Sequence, residues 1–424
     1  MSRSVAVVGG GVVGLSIALQ AARRGFRVTV IDRAAEPPPC SFGNSGMVVP
    51  SHVVPLAAPG MVGLGLRWMW NPESPFALKP RLDRDLLVWG LRFCLAANRR
   101  HVERSAPLLR DLHLASRACF LELAAEDDRD DGFGLETRGL LMLCKTERGL
   151  EEEAHAARQA ETLGIPAEVL GPREAAAREP NLRLDVTGAV YYPMDCHLAP
   201  GRLLAALRRR AEAAGARIVA GEVTGWRRAG DTVEAAITTD GEVTADEFVL
   251  SAGIGSKPVA RDLGLRLPLE AGKGYSVTLE APARIPAVCA ILSEARVAVT
   301  PMGGALRFGG TFELSGPDTA VDPARVAGIL RSIPRYLPDF SEEDFRGQPV
   351  WSGLRPCSPD GLPYLGRAAG FKNLSIATGH AMMGVSLGPI TGRLIAEILA
   401  GEAPSLDLAP LRPDRFSRMK RGPR

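Results

Sequence analysis

Val5-Ala6-Val7-Val8-Gly9-Gly10-Gly11-Val12-Val13-Gly14 decides the fold. Val5 to Val8 is a short, β-branched apolar run suited to a buried strand, and three glycines break it at once. A helical pattern follows from residue 15 to about residue 24, and Gly25 stops it. Arg27-Val28-Thr29-Val30-Ile31 then reads as a second strand ending at Asp32. Strand, glycine turn, helix, strand and acid, in that order, make the context that a dinucleotide fingerprint requires. Gly9 permits the tight turn, Gly11 lets a pyrophosphate approach the backbone, and Gly14 lets the helix pack on the sheet. The phosphates then sit on the free N–H groups and positive end of a helix beginning near Val12. Asp32 lies where a carboxylate accepts hydrogen bonds from a ribose. The competing reading is a glycine-rich turn without a ligand, and the motif does not say which dinucleotide binds.

Working outward, Pro37-Pro38-Pro39 makes a stiff turn. Ser41-Phe42-Gly43-Asn44-Ser45-Gly46 follows, small and polar as backbone beside a ligand tends to be. An ordinary surface loop is the alternative there. Residues 83 to about 125 have helical periodicity with an expected break near Ser105-Ala106-Pro107. Strands are expected at 138–144 and 187–192, and a helix at 151–163. Pro200-Gly201-Arg202 starts an amphipathic helix that stops at Gly215. A strand at 217–220 and a meander over 223–244 follow it, and the apolar run Phe248-Val249-Leu250 leads into Ser251-Ala252-Gly253. Residues 272–279, 297–301 and 306–312 read as antiparallel strands. The stretch from 351 to 366 reads as a Gly- and Pro-rich loop, 374–377 as a strand and 391–399 as a closing helix.

With 424 residues and 46% hydrophobic content, the chain is long enough for two domains. A formal charge of +3 with dispersed basic residues gives no nucleic-acid footprint. The basic tail (Arg412, Arg415, Arg418, Lys420, Arg421, Arg424) reads as a solvated, partly disordered end in preference to a lipid-binding patch. Seven isolated cysteines with no CxxC pair argue for free thiols in a reducing compartment and against a metal site. The apolar run after Arg3 is the nucleotide-binding strand, so it is not a cleaved leader, and a cytoplasmic chain is expected. The most apolar stretch noted, residues 53–70, is broken by Pro55 and Pro59. It reads as a loop and helix over a pocket in preference to a segment grazing a membrane. Peripheral contact with the inner membrane face stays open.

Trp351-Ser352-Gly353-Leu354-Arg355-Pro356-Cys357-Ser358-Pro359-Asp360-Gly361-Leu362-Pro363, with Ala377-Thr378-Gly379-His380, resembles the FAD-dependent D-amino acid oxidase superfamily, and within it the D-amino acid dehydrogenases most. The flavin loop at 41–46 and Leu56-Ala57-Ala58-Pro59-Gly60 share the likeness, which covers essentially the whole chain. The resemblance implies an α/β protein: a Rossmann-like FAD-binding domain (1–50, 197–265 and 350–424) and an α+β substrate domain dominated by antiparallel sheet (51–196 and 266–349). It implies FAD held along Gly9, Gly11, Val12, Val13, Gly14, Asp32, Arg33, Val223, Ala252 and Gly253. Asn44, Ser45 and Gly46 would flank the isoalloxazine ring. Gly379, His380, Gly384, Val385, Ser386 and Leu387 would close around it.

Arg355 matches the arginine that binds the substrate carboxylate in glycine oxidase-like members, and a planar guanidinium suits a bidentate pair. A structural salt bridge is its alternative. Two departures stand out: Ala381-Met382-Met383 replaces a second basic residue, and Ala298 stands where a substrate-contacting tyrosine occurs. Tyr275 is then a candidate for assisting Arg355. Met47, His52, Met382 and Met383 fit an adaptable apolar side-chain pocket, and fit a core equally well. The expected activity is oxidation of the Cα–N bond of a D-amino acid, with a quinone or another carrier as acceptor. A D-proline or D-hydroxyproline dehydrogenase acting on a D-imino acid shares every motif. A nicotinamide-dependent dehydrogenase and a non-catalytic flavin-bearing subunit are the readings of other classes.

Overall fold

The computed structural model describes residues 2–33, 39–68, 74–79, 81, 83–126 and 132–417. Pro37, Pro38, Trp70 and the tail residues Arg418, Lys420, Arg421 and Arg424 lie outside them.

Ser4–Val8 forms the centre of a six-stranded sheet with the order Tyr364–Arg367, Leu374–Thr378, Glu247–Leu250, Ser4–Val8, Arg27–Asp32, Arg217–Ala220. All neighbours are parallel except the Tyr364–Arg367 edge. Side chains alternate along each strand, so Val5 and Val7 face one core while Ala6 and Val8 face another. On the first face lie the helices Val12–Arg23, Pro200–Ala213 and Gly384–Ala400. The second face is covered through Trp226, Val233 and Ala236 by the meander Val223–Ala229, Thr232–Thr238, Gly241–Thr244. Both faces are therefore sealed, which is why the strands read as continuous apolar runs. Glycines set the helix spacing: a Cβ on Gly14 would lie 1.8 Å from the Gly9 carbonyl oxygen, and one on Gly392 would lie 2.5 Å from that of Ser16.

The second sheet has nine strands. Val350–Cys357, Glu270–Leu279, Ala305–Leu314, Val297–Met302, Cys289–Leu292, Leu140–Cys144, Gly188–Tyr192 and Glu168–Leu170 run side by side, and Phe76–Leu78 pairs with Ala305–Leu314. It is mostly antiparallel, with parallel pairs where Cys289–Leu292 meets Leu140–Cys144 and where Phe76–Leu78 joins. A two-stranded ladder, Met47–Val48 with Cys196–His197, lies between the two large sheets in the chain's path.

Several expectations need correction. Residues 351–357 are strand, not loop: Val350–Cys357 pairs with Glu270–Leu279 along its whole length. It is an edge strand, so Pro356 can lack an N–H without breaking a ladder on its outer side. That strand also moves from the expected FAD-binding part into the second sheet. The helical break falls at Ala97 and Asn98, where the Asn98 side chain caps the helix Arg99–Ala125. Pro107 lies inside that helix; burial of Leu109, Leu112 and Phe120 outweighs one lost N–H. The closing helix starts at Gly384, seven residues before expected. Together with the turn before it, residues 381–400 are long and apolar enough to cross a membrane, but they pack largely inside the protein as a core helix. The strands Phe76–Leu78, Glu168–Leu170 and Cys289–Leu292 carried no alternation long enough to read.

Candidate active site

A cleft of about 510 Å³ runs along the carboxyl ends of the parallel strands, where ligands of open α/β sheets sit. One end is lined by Ile31, Asp32, Arg33 and Val223. The middle is formed by residues 8–13 and 251–255, and the far end by Asn44, Arg355, His380, Ala381, Gly384 and Val385.

The turn after the first strand is shaped for close approach. Gly9 adopts φ +107°, and a Cβ there would sit 2.7 Å from the Ser251 carbonyl oxygen. A Cβ on Gly11 would meet only the Ser41 hydroxyl at 3.4 Å, so this residue presents bare backbone to the cleft. The helix Val12–Arg23 has no side-chain cap of its own; the Ser41 Oγ accepts from the Val12 N–H at 3.2 Å. Helix N–H groups at mid-cleft and a carboxylate at its end suit phosphates and a ribose. Burial pushes the Asp32 carboxyl above its ordinary range, against the pull of backbone hydrogen bonds from Gly10 and Arg33. A long cleft with an acid at one end, N–H donors in the middle and a cation at the other fits an extended flavin dinucleotide.

The far end is built from the second sheet. Arg355 pairs in register with Gly272, and its guanidinium lies over Gly274, where a Cβ would be 2.0 Å from Nη2. Arg355 Nη1 donates to the Thr311 carbonyl at 2.7 Å. That carbonyl is aimed by an irregularity in strand pairing, where Thr311 is held at φ +68°, an unfavourable conformation for a β-branched residue. Among the described residues Arg355 has no carboxylate partner within ion-pair distance. Burial draws its pKa below 12.5, yet it stays charged. The result is a partly buried cation at the cleft end with donor capacity to spare.

The loop at 41–46 is fastened by Arg307 and Ser276, which carried no signal in the sequence, and by Trp351. Arg307 Nη1 donates to the carbonyls of Phe42 (2.7 Å) and Asn44 (2.9 Å), and the Ser276 hydroxyl donates to that of Gly43 (3.1 Å). Trp351 packs so closely on Gly43 that a Cβ there would lie 2.0 Å from its ring. Cys40 and Ser41, from the stretch expected beside a ligand, Ser251 and Ile254, from the run after the strand Glu247–Leu250, and Thr378 also line the cleft.

Of the anticipated residues, Gly9, Gly11, Val12, Val13, Asp32, Arg33, Asn44, Val223, Ala252, Gly253, Arg355, His380, Gly384 and Val385 line the cleft together. Gly14, Ser45, Gly46, Gly379, Ser386 and Leu387 stand behind its lining. Ser386 Oγ accepts from the Val49 N–H at 3.2 Å and meets His113 Nδ1 at 3.0 Å, tying the closing helix to the chain after the loop. His380 is buried, with Nε2 3.0 Å from the Thr391 Oγ1, and burial lowers its pKa to about 4. It is therefore a neutral, satisfied ring near pH 7.

Tyr275 is a correction. Residues alternate across the strand Glu270–Leu279, and Gly274 faces Arg355, so Tyr275 points to the opposite side. There it is 1% exposed and donates to Glu313 Oε2 at 2.7 Å, so it cannot assist Arg355. Met47, His52, Met382 and Met383 do not line the cleft either. Met47 and Met383 pack into an apolar cluster with Val53 and Tyr192, Met382 is 38% exposed, and His52 Nδ1 lies 3.1 Å from the Ser51 hydroxyl.

Comparison with known proteins agrees with this architecture. A "D-amino acid dehydrogenase" from Paramagnetospirillum magneticum is 34% identical, over 97% of this chain and 99% of its own length. A "D-amino-acid oxidase" from Bradyrhizobium diazoefficiens is 32% identical over 98% and 99%. The solved structure of glycine oxidase from Geobacillus kaustophilus superimposes with a TM-score of 0.77 at 27% identity, covering 98% of this chain and 99% of that one. Residues 4–398 match the family described as FAD dependent oxidoreductase, and the chain belongs to that family of FAD-binding enzymes.

Proposed function

We propose that the protein oxidises the Cα–N bond of a D-amino acid. The observation that carries this reading is Arg355, a partly buried guanidinium at the end of the cleft with one carbonyl partner and no carboxylate among the described residues. A buried cation that the protein leaves without an anion is completed by one from the substrate, and a carboxylate matches its planar fork. The names of the relatives support an amino acid as the bearer of that carboxylate.

Bound FAD supplies a hydride acceptor. The chain's own contribution is placement. Arg355 pins the carboxylate, the bare backbone of Gly274 lets its guanidinium lie close on the sheet, and the neutral His380 adds no competing charge. With one substituent fixed and the side chain confined, one enantiomer alone turns its Cα hydrogen inward. Loss of that hydride and one amine proton leaves an imino acid, and water converts it to a 2-oxo acid and ammonia. A cyclic substrate such as D-proline would stop at the imine. No second cation supplements Arg355 at Ala381-Met382-Met383 or Ala298. The electrons pass on to a quinone or another carrier, a reading that rests on the word dehydrogenase among the relatives.

The deciding experiment is anaerobic bleaching of the purified flavin by matched D- and L-amino acids, with D-proline and cis-4-hydroxy-D-proline included. Rapid bleaching by D-substrates alone is expected. Equal rates for two enantiomers of one amino acid would remove the chirality argument, and no bleaching by any amino acid would remove the substrate class.

A further inference from the structure

The two helices whose N-termini open on the cleft pack against each other, and a third helix grips one of them. A Cβ on Gly388 of the closing helix would lie 2.9 Å from Val12 Cγ2, so its backbone presses on the helix Val12–Arg23. The further grip comes from the helix Arg99–Ala125, none of whose residues lines the cleft. His113 and Ser116, one turn apart on its buried face, both reach Ser386. The Ser116 hydroxyl donates to the Ser386 carbonyl at 2.6 Å, and His113 Nδ1 lies 3.0 Å from the Ser386 hydroxyl. That hydroxyl already accepts from the Val49 N–H at 3.2 Å, so its own hydrogen goes to Nδ1 and the ring proton sits on Nε2. His113 is 0% exposed, and its Nε2 has no hydrogen-bond partner among the described residues.

A buried N–H without an acceptor is costly, and the buried neighbours Leu109, Leu112 and Phe120 on the same helix are apolar. An apolar residue would fill this place at lower cost. What the imidazole adds is one directed bond, and its other end is the first turn of the closing helix. Gly384 and Val385 of that turn line the far end of the cleft, and the helix has no side-chain cap. Their N–H groups find no acceptor within the helix and carry its positive end. The charge that a bound flavin gains on reduction is negative, so the placement of this turn bears on how readily it accepts electrons. Ser386 also holds Val49, three residues past the loop at 41–46, so one hydroxyl ties two walls of the flavin end together. We infer that His113 is a positioning residue for the flavin. Through the Ser386 hydroxyl it fixes the first turn of the closing helix and the chain at Val49, and thereby raises the reduction potential of bound FAD. Ser116 assists through the Ser386 carbonyl. The inference rests on the flavin family and not on the amino acid reading, which bleaching tests separately.

The test is the midpoint potential of the full-length holoenzyme, from reductive titration against reference dyes, beside melting temperature and flavin content. His113→Leu fills the space but removes the acceptor. It should lower the potential by about 15–30 mV, the two-electron equivalent of a threefold to tenfold change, which is within the range of charge effects at a partly buried helix end. His113→Asn, whose side-chain oxygen can stand where Nδ1 stands, should restore most of the loss. Ser386→Ala should match His113→Leu, and the double variant should be no worse than either, because both remove one bond. Should His113→Leu fail to fold, Ser386→Ala, which removes a single oxygen, takes its place beside His113→Asn. A potential equal to the parent's in a variant whose melting temperature falls would reduce His113 to a packing residue and overturn the inference. So would an asparagine variant as impaired as the leucine one, or effects that add in the double variant.

Discussion

The two ends of the cleft are built by opposite means. At the nucleotide end, the contacts are made by residues close in sequence: a strand, three glycines and a helix within residues 4–23, with Asp32 at the end of the next strand. At the substrate end, Arg355 meets a carbonyl 44 positions away and a glycine from a third strand, while the loop at 41–46 is fastened by Arg307 and Trp351. The first end is specified by local backbone conformation. The second is specified by the register of an antiparallel sheet, and a slip of one residue would turn Arg355 to the other face.

The largest effect that separates them is Gly11→Val. Its side chain would project toward the Ser41 hydroxyl and into the cleft where a pyrophosphate must approach. Flavin retention should be lost entirely, while the second sheet keeps its strands and circular dichroism changes little. Normal flavin content after gel filtration would show that the cleft is threaded differently.

Next comes Arg355→Ala, which should lower flavin reduction efficiency by about a hundredfold or more, since charge-assisted hydrogen bonds contribute about 1.5–3 kcal/mol each. Arg355→Lys keeps the charge but loses the fork, and should cost on the order of tenfold to a hundredfold. Flavin occupancy and melting temperature should move little in either. Joint loss of flavin and stability with unaltered reduction kinetics would return Arg355 to a structural role.

How much was legible follows from the same contrast. Val5 to Gly14 and Asp32 state their conformation in a window of twenty-eight residues, so that half of the cleft was readable. Arg355 was placed through the resemblance, whereas its own strand was misread as a loop because Gly353 and Pro356 suggest a turn until the edge position is known. Arg307 gave no signal: a buried arginine in a strand looks like any other until the loop it holds is folded over it. Tyr275 was misplaced because the face it occupies depends on which way Gly274 points.

The seam between the two halves should respond to acid. Burial holds His52, His113 and His380 near pKa 4, 3 and 4, against 6.5 when exposed. Each is neutral in the fold while the unfolded chain takes up a proton, so their stabilisation is complete above pH 6.5 and is lost as pH falls toward 4. Asp195, pushed up to about 7 from 3.8 by burial, acts with the opposite sign across that window. His197, also held near 4 by burial, makes four histidines, which outweigh Asp195 and the lesser upward shifts of Asp32 and Glu179, so the melting temperature of the holoenzyme should fall between pH 6.5 and 5. A melting temperature that is flat or rising as pH drops through this window would contradict it.

The smallest effect gives the sharpest discrimination, and it concerns Tyr275. If the register is as observed, Tyr275→Phe removes one hydrogen bond to Glu313 on the side of the sheet away from Arg355. Glu313 is 1% exposed and keeps Lys273 at 3.6 Å and Lys79 at 3.3 Å, so its charge is still countered. The loss should be about 1–2 kcal/mol of stability, the ordinary cost of a buried hydrogen bond to a charged group. Flavin reduction should stay within about twofold of the parent, because no group at the cleft end moves. A shifted denaturation midpoint with unchanged kinetics would fix Tyr275 in the second core. A drop in reduction rate comparable with that of Arg355→Lys, at unchanged stability, would mean that the strand Glu270–Leu279 presents its other face to the substrate. That result would overturn the register on which the whole substrate end depends.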